Sequence, residues 1–502
     1  MLEKQTLQPV DKVAMTLMVA LTVVTGGLVL GSKFCTDNCW FENRPRVQNF
    51  SWQDQVVGLE DKAFILTFDR PMDQPDVEKN LVINPALPGK FSWSGRKLAY
   101  TLETPIPYGE TYQVKLSDVQ EHFLGREKEG KTIQPFVGEF RSRDRAFAYI
   151  GTQGEEQGRL IFYNLTKQKK TVLTPSNLTV VDFKFYAKGD HAVPLRDRIL
   201  FSAADKTLGF EGLRELQLYS IPTTGSDNPN IPLEPQLLLD NQDYQNNQFD
   251  ISADGKIIVV QRVNRQNPAD FDLWMLKEGE DPQRLKVTGG DFRIAPDSKS
   301  LAVAKGEGIG ILPLQPNGKP LDFLPKFGQL LSFSPDGTAA TVVNFNTDNA
   351  KMRYTRSLFY VNNKGVQKEL LTTEGSTINC QFNGTNTELY CLLTQLAKGK
   401  DYQEQPYFTK IDLKTNQVIP LATLPEYRDT KVSLSPDGLA LLFDQVLASN
   451  QGNANTSLST NAGESVLGGK LWLLIPPIAT SGKQQPDLKE LPLEGFRPQW
   501  AP

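Results

Sequence analysis

Histidine and cysteine are scarce in this chain of 502 residues, which contains two histidines and four cysteines. A histidine-based metal site needs more ligands than His122 and His191 can supply, since they lie in unrelated segments without an evident partner. The serine-hydrolase signature Gly-x-Ser-x-Gly, the phosphate-binding loop and the dinucleotide-binding glycine motif are also missing. We therefore expect no catalytic residue, no bound metal and no cofactor, and the chain is predicted not to be an enzyme.

A basic surplus is missing as well. The 54 lysines and arginines are outnumbered by 58 acidic residues, so the formal net charge is −4. Nucleic-acid binding needs a clustered basic face, and the one short basic run, 167–170, is better explained as a polar turn between strands. The composition therefore excludes nucleic acid as the expected partner.

Long apolar runs are confined to the N-terminus, where 13–30 carries no charge and is flanked by Lys12 and Lys33. These 18 residues are just long enough to cross a bilayer as a helix. A cleaved signal peptide is the alternative, but no small-residue cleavage site follows the run. We expect a transmembrane anchor at 13–32 behind a cytoplasmic tail at 1–12. The protein is then a single-pass protein of the inner or thylakoid membrane.

The four cysteines form two local pairs, Cys35 with Cys39 and Cys380 with Cys391. An even count in close pairs indicates an oxidising compartment, so the bulk of the chain is expected in the periplasm or lumen. The second pair is equidistant from the turn at 383–386, and a cross-strand disulfide there stabilises by roughly 3 kcal/mol. Two free buried thiols are the alternative. The first pair is best explained by a small disulfide loop.

Short strand-like runs between Pro- and Gly-rich turns fill 62–143, after a linker at 33–61, and they predict an antiparallel β-sandwich. The order FDRPMD, VEKNLVINP, FSWSGRKLAYTLETPIPYGETYQVKL and GEF resembles a bacterial Ig-like domain of the SbsA type. The resemblance covers about 80 residues and implies a spacer or adhesion module. In it, Phe68, Trp93 and Tyr112 are core residues, and 71–73 is a turn.

The rest of the chain, 144–502, repeats a turn motif after an apolar run. The copies read Phe-Ser-Pro-Asp-Gly at 333–337, Leu-Ser-Pro-Asp-Gly at 434–438, Ile-Ser-Ala-Asp-Gly at 251–255 and Ile-Ala-Pro-Asp-Ser at 294–298. Proline presets φ, aspartate bonds the backbone two residues on, and glycine accepts positive φ. We therefore interpret Asp254, Asp297, Asp336 and Asp437 as structural turn residues and not as acid–base or metal groups.

Repetition at this spacing predicts a β-propeller of seven blades, with six or eight as alternatives. The first unit lacks an inner strand, whereas Phe496, Pro498 and Trp500 lie in a segment that matches one. The last residues are thus expected to close the ring. The repeats resemble the TolB-type, WD40-like propeller family, and the polar stretch 448–466 is predicted to be a mobile insertion. The fold class is all-β apart from the anchor.

These features favour a membrane-anchored scaffold outside the cytoplasm whose propeller binds a protein partner, in assistance to a membrane or envelope complex. The resemblance to TolB adds only a general link to envelope complexes, because the N-terminal domain differs. The alternative is a propeller that binds or cleaves envelope polysaccharide. The scarcity of carboxylate–histidine constellations favours the scaffold.

Overall fold

The chain is all-β, as predicted. The computed structural model describes residues 17–22, 25, 44–122, 131–186, 198–223, 233–287, 290–306, 308–316, 319–397, 403–424, 429–449, 458–460, 463–477 and 485–502. The strands fall into two four-stranded sheets at the N-terminal end, followed by repeated antiparallel four-stranded units. The first and the last of these units share the last strand of the chain.

The expected membrane location is the first correction. Of the predicted anchor, 17–22 and 25 are described and helical, and its other residues lie outside the described part. A helix needs about 20 residues to span a bilayer. Among the described residues no helix is both long enough and apolar enough to do so. The prediction of a single-pass protein of the inner or thylakoid membrane is therefore wrong on this structure.

Two sheets share one hydrophobic core in the N-terminal part. The first has the order β1-β3-β6-β5 and the second β2-β8-β7-β4. Phe64, Phe68 and Tyr112 are almost fully buried between them, and half-buried Trp93 stacks on Phe68 with ring centroids 5.9 Å apart. The strands are β1 Val47–Phe50, β2 Val56–Val57, β3 Ala63–Phe68, β4 Val82–Asn84, β5 Gly89–Ser94, β6 Lys97–Leu102, β7 Thr111–Leu116 and β8 Phe136–Ser142.

Two features of this part differ from the expected boundaries. Strands β1 and β2 lie in the predicted linker, because Phe50, Trp52 and Val57 bury their side chains in the sandwich core. The expected turn after Phe68 continues into a helix, α1, at Gln74–Asn80. Asp73 caps this helix by accepting the Asp76 N–H at 3.0 Å, and proline stands in its first turn.

In the described residues the next strands form seven units of four, if β35 is counted twice. In units two to seven the first strand in the chain is the inner strand, and in unit one this place is taken by the second half of β35. Units two to six are separate sheets, whereas units one and seven share β35. The strands are β9 Ala146–Gly151, β10 Leu160–Asn164, β11 Lys169–Val172, β12 Leu178–Phe185, β13 Arg198–Asp205, β14 Gln217–Pro222, β15 Gln236–Leu239, β16 Tyr244–Ile251, β17 Ile257–Asn264, β18 Phe271–Lys277, β19 Gln283–Arg284, β20 Phe292–Ile294, β21 Ser300–Ala304, β22 Gly308–Pro313, β23 Asp322–Pro325, β24 Phe327–Phe333, β25 Ala339–Asn344, β26 Arg356–Asn362, β27 Gln367–Thr373, β28 Thr377–Phe382, β29 Glu388–Leu396, β30 Glu404–Asp412, β31 Val418–Thr423, β32 Val432–Leu434, β33 Leu441–Ser449, β34 Ser465–Ile475 and β35 Asp487–Trp500. Two short 3-10 helices, η1 Gly154–Glu156 and η2 Lys206–Arg214, lie between strands of units one and two.

Strand β35 is hydrogen-bonded to both ends of the repeat region. Its first half pairs with β34, with Ile475 opposite Asp487, and its second half pairs with β9, with Phe147 opposite Trp500. The partner changes from β34 to β9 between Glu494 and Gly495, and the pairing with β9 has a bulge between Phe496 and Gln499. One strand thus serves as the outer strand of unit seven and the inner strand of unit one.

The predicted insertion at 448–466 is partly built into unit seven. Ala448 pairs with Val466 and Ser449 with Ser465, so β33 and β34 extend into this segment. The extension packs inward because Val446, Val466 and Leu458 are all nearly fully buried against units one and two. Residues 450–457 and 461–462 lie outside the described residues.

Cysteine placement differs between the two pairs. Cys380 on β28 lies opposite Cys391 on β29, and the two are joined by a disulfide with Cα atoms 4.1 Å apart. Both side chains are buried in the core between units five and six. Cys35 and Cys39 lie outside the described residues.

Removal of 496–502 is expected to abolish or severely weaken folding of the propeller. Phe496 and Trp500 are 3% and 7% exposed, and loss of a buried Phe or Trp costs about 3–5 kcal/mol each. That sum is comparable to the whole stability of a typical domain. Thermal unfolding followed by circular dichroism measures the effect.

The milder variant Trp500→Ala is expected to lower stability by about 3–5 kcal/mol. Leu488→Ala is the matched control, because Leu488 lies on the same strand but is 45% exposed and pairs with β34. Equal midpoints for the truncated and complete chains contradict the structural role of this strand.

Candidate functional site in the inner-strand cavity

The aspartates of the turn motif bond their own turns. Asp254 accepts the Ser252 hydroxyl at 2.6 Å and Asp336 accepts the Ser334 hydroxyl at 2.7 Å. Burial alone raises the pKa of Asp297, but hydrogen bonds from Ser300 and the Lys299 N–H outweigh it and hold that pKa below its ordinary value. The last residue of the turn motif has φ near +70° in the three copies where it is glycine, and φ of +57° where it is Ser298.

Asp437 has a second set of contacts that the other copies lack. Its Oδ1 accepts the Ser435 hydroxyl at 2.6 Å, whereas its Oδ2 accepts the Tyr108 N–H at 3.1 Å and faces the Arg145 guanidinium at 3.2 Å. Arg145 also donates to the Tyr108 carbonyl at 2.9 Å. Since Tyr108 belongs to the sandwich and Arg145 to the connection, this buried carboxylate fastens the two parts together.

At the start of the turn after each inner strand, one residue donates its backbone N–H to the second strand, as Ser252 does to Ile257 and Ala501 to Ala146. Two positions before this residue, every inner strand carries a polar side chain. Apolar residues flank the polar position on both sides in each unit. We call these seven residues the polar ring: Lys184, Asp250, Arg293, Ser332, Gln381, Ser433 and Gln499.

Several members of the ring are bonded to the neighbouring unit. Lys184 lies 2.5 Å from Asp250, and the other oxygen of Asp250 accepts the Ile294 N–H at 2.7 Å. Gln381 accepts the Leu434 N–H at 2.9 Å. The Ser433 hydroxyl accepts the Trp500 N–H at 3.1 Å. These bonds connect units two, three and four on one side, and units six, seven and one on the other.

Arg293 of unit four is the charged member of the ring without such a bond in the described part of the chain. Its side chain is exposed, and within the described part of the chain no ion pair or hydrogen bond occupies its guanidinium. It lines two adjoining cavities, of about 120 and 430 Å³, and is the one residue common to both. Arg293 thus presents to both cavities a charged group that no described residue of the chain neutralises.

The two cavities differ in chemistry. The smaller one presents the amides of Gln248, Gln329 and Asn379 from units three, five and six. The larger one, next to the turn motifs, presents apolar side chains that include Ile251, Phe333 and Phe382. Such a lining can hold an extended chain that offers hydrogen-bonding groups at one end and apolar groups at the other.

A larger cavity, of about 720 Å³, lies between units two and three and includes Tyr186, Arg198 and Leu237. Here Arg198 already donates to Ser220 and to Gln236. Cations and carboxylates alternate along its lining, with Lys277 3.9 Å from Glu280. We place the candidate site at the polar ring, because no described residue of the chain pairs with the Arg293 guanidinium there.

Asp444 is the most strongly perturbed acid beside the ring. It is fully buried on β33, and its two oxygens accept the Lys431 N–H at 2.7 Å and the Arg497 N–H at 2.6 Å. Burial raises the pKa of Asp444 to about 7, although both backbone donors and the Lys431 charge oppose the shift. Arg497 lies at the bulge of β35 with φ of +52°, so this carboxyl group holds the bulge of the shared strand.

The polar ring was not among the sequence-predicted residues. Its signal is a polar residue between two apolar ones before each turn, as in Phe292-Arg293-Ile294 and Phe249-Asp250-Ile251. Five residue types occupy the seven positions, with only serine and glutamine used twice, so no motif marks the position. None of the four sequence-predicted turn aspartates lines either cavity, although other residues of the turns, Ala253, Pro296 and Pro335, line the larger one.

Comparison with known proteins gives structural neighbours only. No family model matches the chain, and no curated protein matches it in sequence. The similar solved structures include TolB from Acinetobacter baumannii, with 12% identity over 84% of this chain and 83% of that one, at a TM-score of 0.37. They also include a putative 6-phosphogluconolactonase from Bacteroides fragilis, with 13% identity over 71% and 97%, at 0.40. A third is oligogalacturonate lyase from Vibrio parahaemolyticus, with 10% identity over 66% and 91%, at 0.41.

All three TM-scores lie below 0.5, so no activity, ligand or partner is taken from these neighbours. The Ig-like domain is not identified by them and stays a prediction. They do correct the prediction that the chain is not an enzyme. The putative 6-phosphogluconolactonase and the oligogalacturonate lyase are named as enzymes, so that prediction does not stand.

The first prediction from the site concerns Asp437 and Asp336, which occupy equivalent turns. Asp437→Ala leaves the Tyr108 N–H without its acceptor, which costs about 1–3 kcal/mol, whereas Asp336→Ala disturbs only an exposed turn. The segment that connects the sandwich to the propeller is expected to detach from unit seven about tenfold more often in Asp437→Ala. Trypsin cleavage after Arg143 and Arg145 measures it. Equal cleavage rates in both variants contradict the fastening role of Asp437.

The second prediction concerns pH. The pKa of Asp444 is raised to about 7 in the folded chain, above the value near 4 expected when unfolded. The wild type therefore loses stability as pH rises from about 4 to about 7, where only the unfolded chain is ionised. Asp444→Asn lacks this titration. We expect its melting temperature, relative to wild type, to rise across that window and then level off. A constant difference contradicts the raised pKa.

Proposed function

We propose that this protein is a binding protein whose seven-bladed propeller, closed by β35, holds a segment of a protein partner in the inner-strand cavity. The N-terminal sandwich is proposed to be an Ig-like spacer fixed to the propeller through Asp437. The observation that carries the proposal is the pair of adjoining cavities lined by the inner strands of four successive units.

Backbone groups support a protein ligand. An inner strand pairs with its own unit on one edge only, so its other edge faces the cavity. Strand β20 is such an edge strand, although its Ile294 N–H already donates to Asp250, and Gln248, Gln329 and Asn379 line the same space. Edge strands and side-chain amides bind extended peptide backbone by main-chain hydrogen bonds. The apolar walls near Phe333 and Phe382 then receive side chains of the bound segment.

The alternative is a propeller that binds envelope polysaccharide. Acidic sugars carry a carboxylate on each residue and need several cations along the binding surface. Among the described residues that line one cavity or the other, Arg293 is the only cation, and Asp250 and Asp291 are acidic. Repulsion by these carboxylates favours a peptide over a polyanionic glycan.

The test is selection from a phage-displayed library of random ten-residue peptides against the immobilised full chain. We expect enrichment of peptides whose binding is lost in Gln329→Trp, since an indole at this position fills the smaller cavity. Gln367→Trp is the matched control, because Gln367 lies exposed on the outer strand of the same unit. Fluorescence polarisation with the synthetic peptide gives the affinities.

Two outcomes contradict the proposal. One is a failure to enrich any peptide, together with binding of a neutral or acidic oligosaccharide that Gln329→Trp abolishes. The other is enrichment of peptides that bind both tryptophan variants equally, which places their site outside the cavity.

A further inference from the structure

We propose that Arg293 is the anchor for a single carboxylate in the bound segment, an Asp or Glu side chain, and so decides which segments the propeller accepts. This inference rests on the proposed function, because it names the chemistry of the ligand at the same site. It is carried by the contrast between Arg293 and the other charged members of the polar ring, Lys184 and Asp250.

Neighbouring charges on the ring are already compensated within the chain. Lys184 and Asp250 neutralise one another at 2.5 Å, and Asp250 also accepts a backbone N–H of unit four. Arg293 has no such partner among the described residues, and it is not within ion-pairing distance of Asp250. A guanidinium exposed to a cavity and left with its donors free is suited to an anion from outside the chain.

The shape of the space indicates an extended ligand. The two cavities adjoin at Arg293, so an occupant that pairs with it continues on both sides. On one side it meets amides that bond peptide backbone, and on the other the apolar side chains of Ile251 and Phe333. An acidic residue flanked by an apolar residue matches this order, whereas a small free anion leaves most of the space empty.

The geometry of the pair explains why one carboxylate is enough. Arginine and a carboxylate form two parallel hydrogen bonds, a stronger and more directional contact than a lysine ammonium gives. A hydrogen bond to a charged group contributes about tenfold to a hundredfold in affinity. A second carboxylate in the segment is disfavoured in the smaller cavity, because Asp291 lines it, whereas Asp250 is already neutralised by Lys184.

The experiment uses the full chain and the peptide selected from the random ten-residue library, synthesised with its acidic residue and with the isosteric amide. Fluorescence polarisation is measured for wild type, Arg293→Gln and Arg293→Lys. Arg353→Gln is the control, since Arg353 is an exposed arginine of unit five that lines neither cavity. Free glutamate and trigalacturonate are added as competitors.

The expected result is a loss of about tenfold to a hundredfold on either change, Arg293→Gln in the protein or acid to amide in the peptide. The double change adds little beyond either one, because both remove the same contact. Arg293→Lys retains part of the affinity, and Arg353→Gln leaves it unchanged. Millimolar free glutamate does not displace the peptide, since it lacks the flanking groups.

Other outcomes overturn the inference in distinguishable ways. Peptides that bind in the cavity without an acidic residue overturn the role of Arg293 and leave the proposed function standing. Free glutamate that binds as tightly as the peptide assigns the site to a small carboxylate. Trigalacturonate binding that depends on Arg293, with no selected peptide, overturns both proposals in favour of an acidic glycan.

Discussion

Strand β35 holds the repeat region together, because it is hydrogen-bonded on one half to β34 and on the other to β9. Units two to six are separate sheets that touch their neighbours mainly through side chains, so none of them supplies such a link. The shared strand lets unit one and unit seven form one continuous sheet. Asp444 secures its bulge by accepting the Arg497 N–H at 2.6 Å.

This arrangement also explains where a ligand can bind. Bonds between neighbouring units occur next to the shared strand, through Ser433 and Gln381, and between units two, three and four, through Asp250. The cavities lie on the far side, at units three to six, where Arg293 has no partner in the described chain. Asp250 and Gln381 make two of these bonds and also line the larger cavity, which leaves Arg293 as the charged ring member available to a ligand within the described chain. The sandwich is bonded to unit seven through one oxygen of Asp437, while the other oxygen still accepts the Ser435 hydroxyl within the turn of that unit.

Local patterns predicted much of the fold, and long-range contacts limited the rest. The repeated turn motif and the strand-like end at 496–502 were sufficient to predict the units and the pairing partner of the last strand. The second role of Asp437 could not be predicted, because Tyr108 lies 329 positions away. The polar ring could not be predicted from a motif, because its seven positions hold five different residue types. Helix α1 had a readable signal, an N-cap at Asp73 followed by proline.

The central claim is that the repeat region is one cooperative ring held by β35. Native-state hydrogen exchange tests this directly, by comparing the amide protons of Ile150 on β9 and Phe496 on β35 with those of β25 in unit five. The account predicts that all of them exchange only through global unfolding, with the same free energy of opening. Exchange of Ile150 and Phe496 at a clearly lower free energy, while β25 stays protected, contradicts it, because unit one then opens independently of the ring.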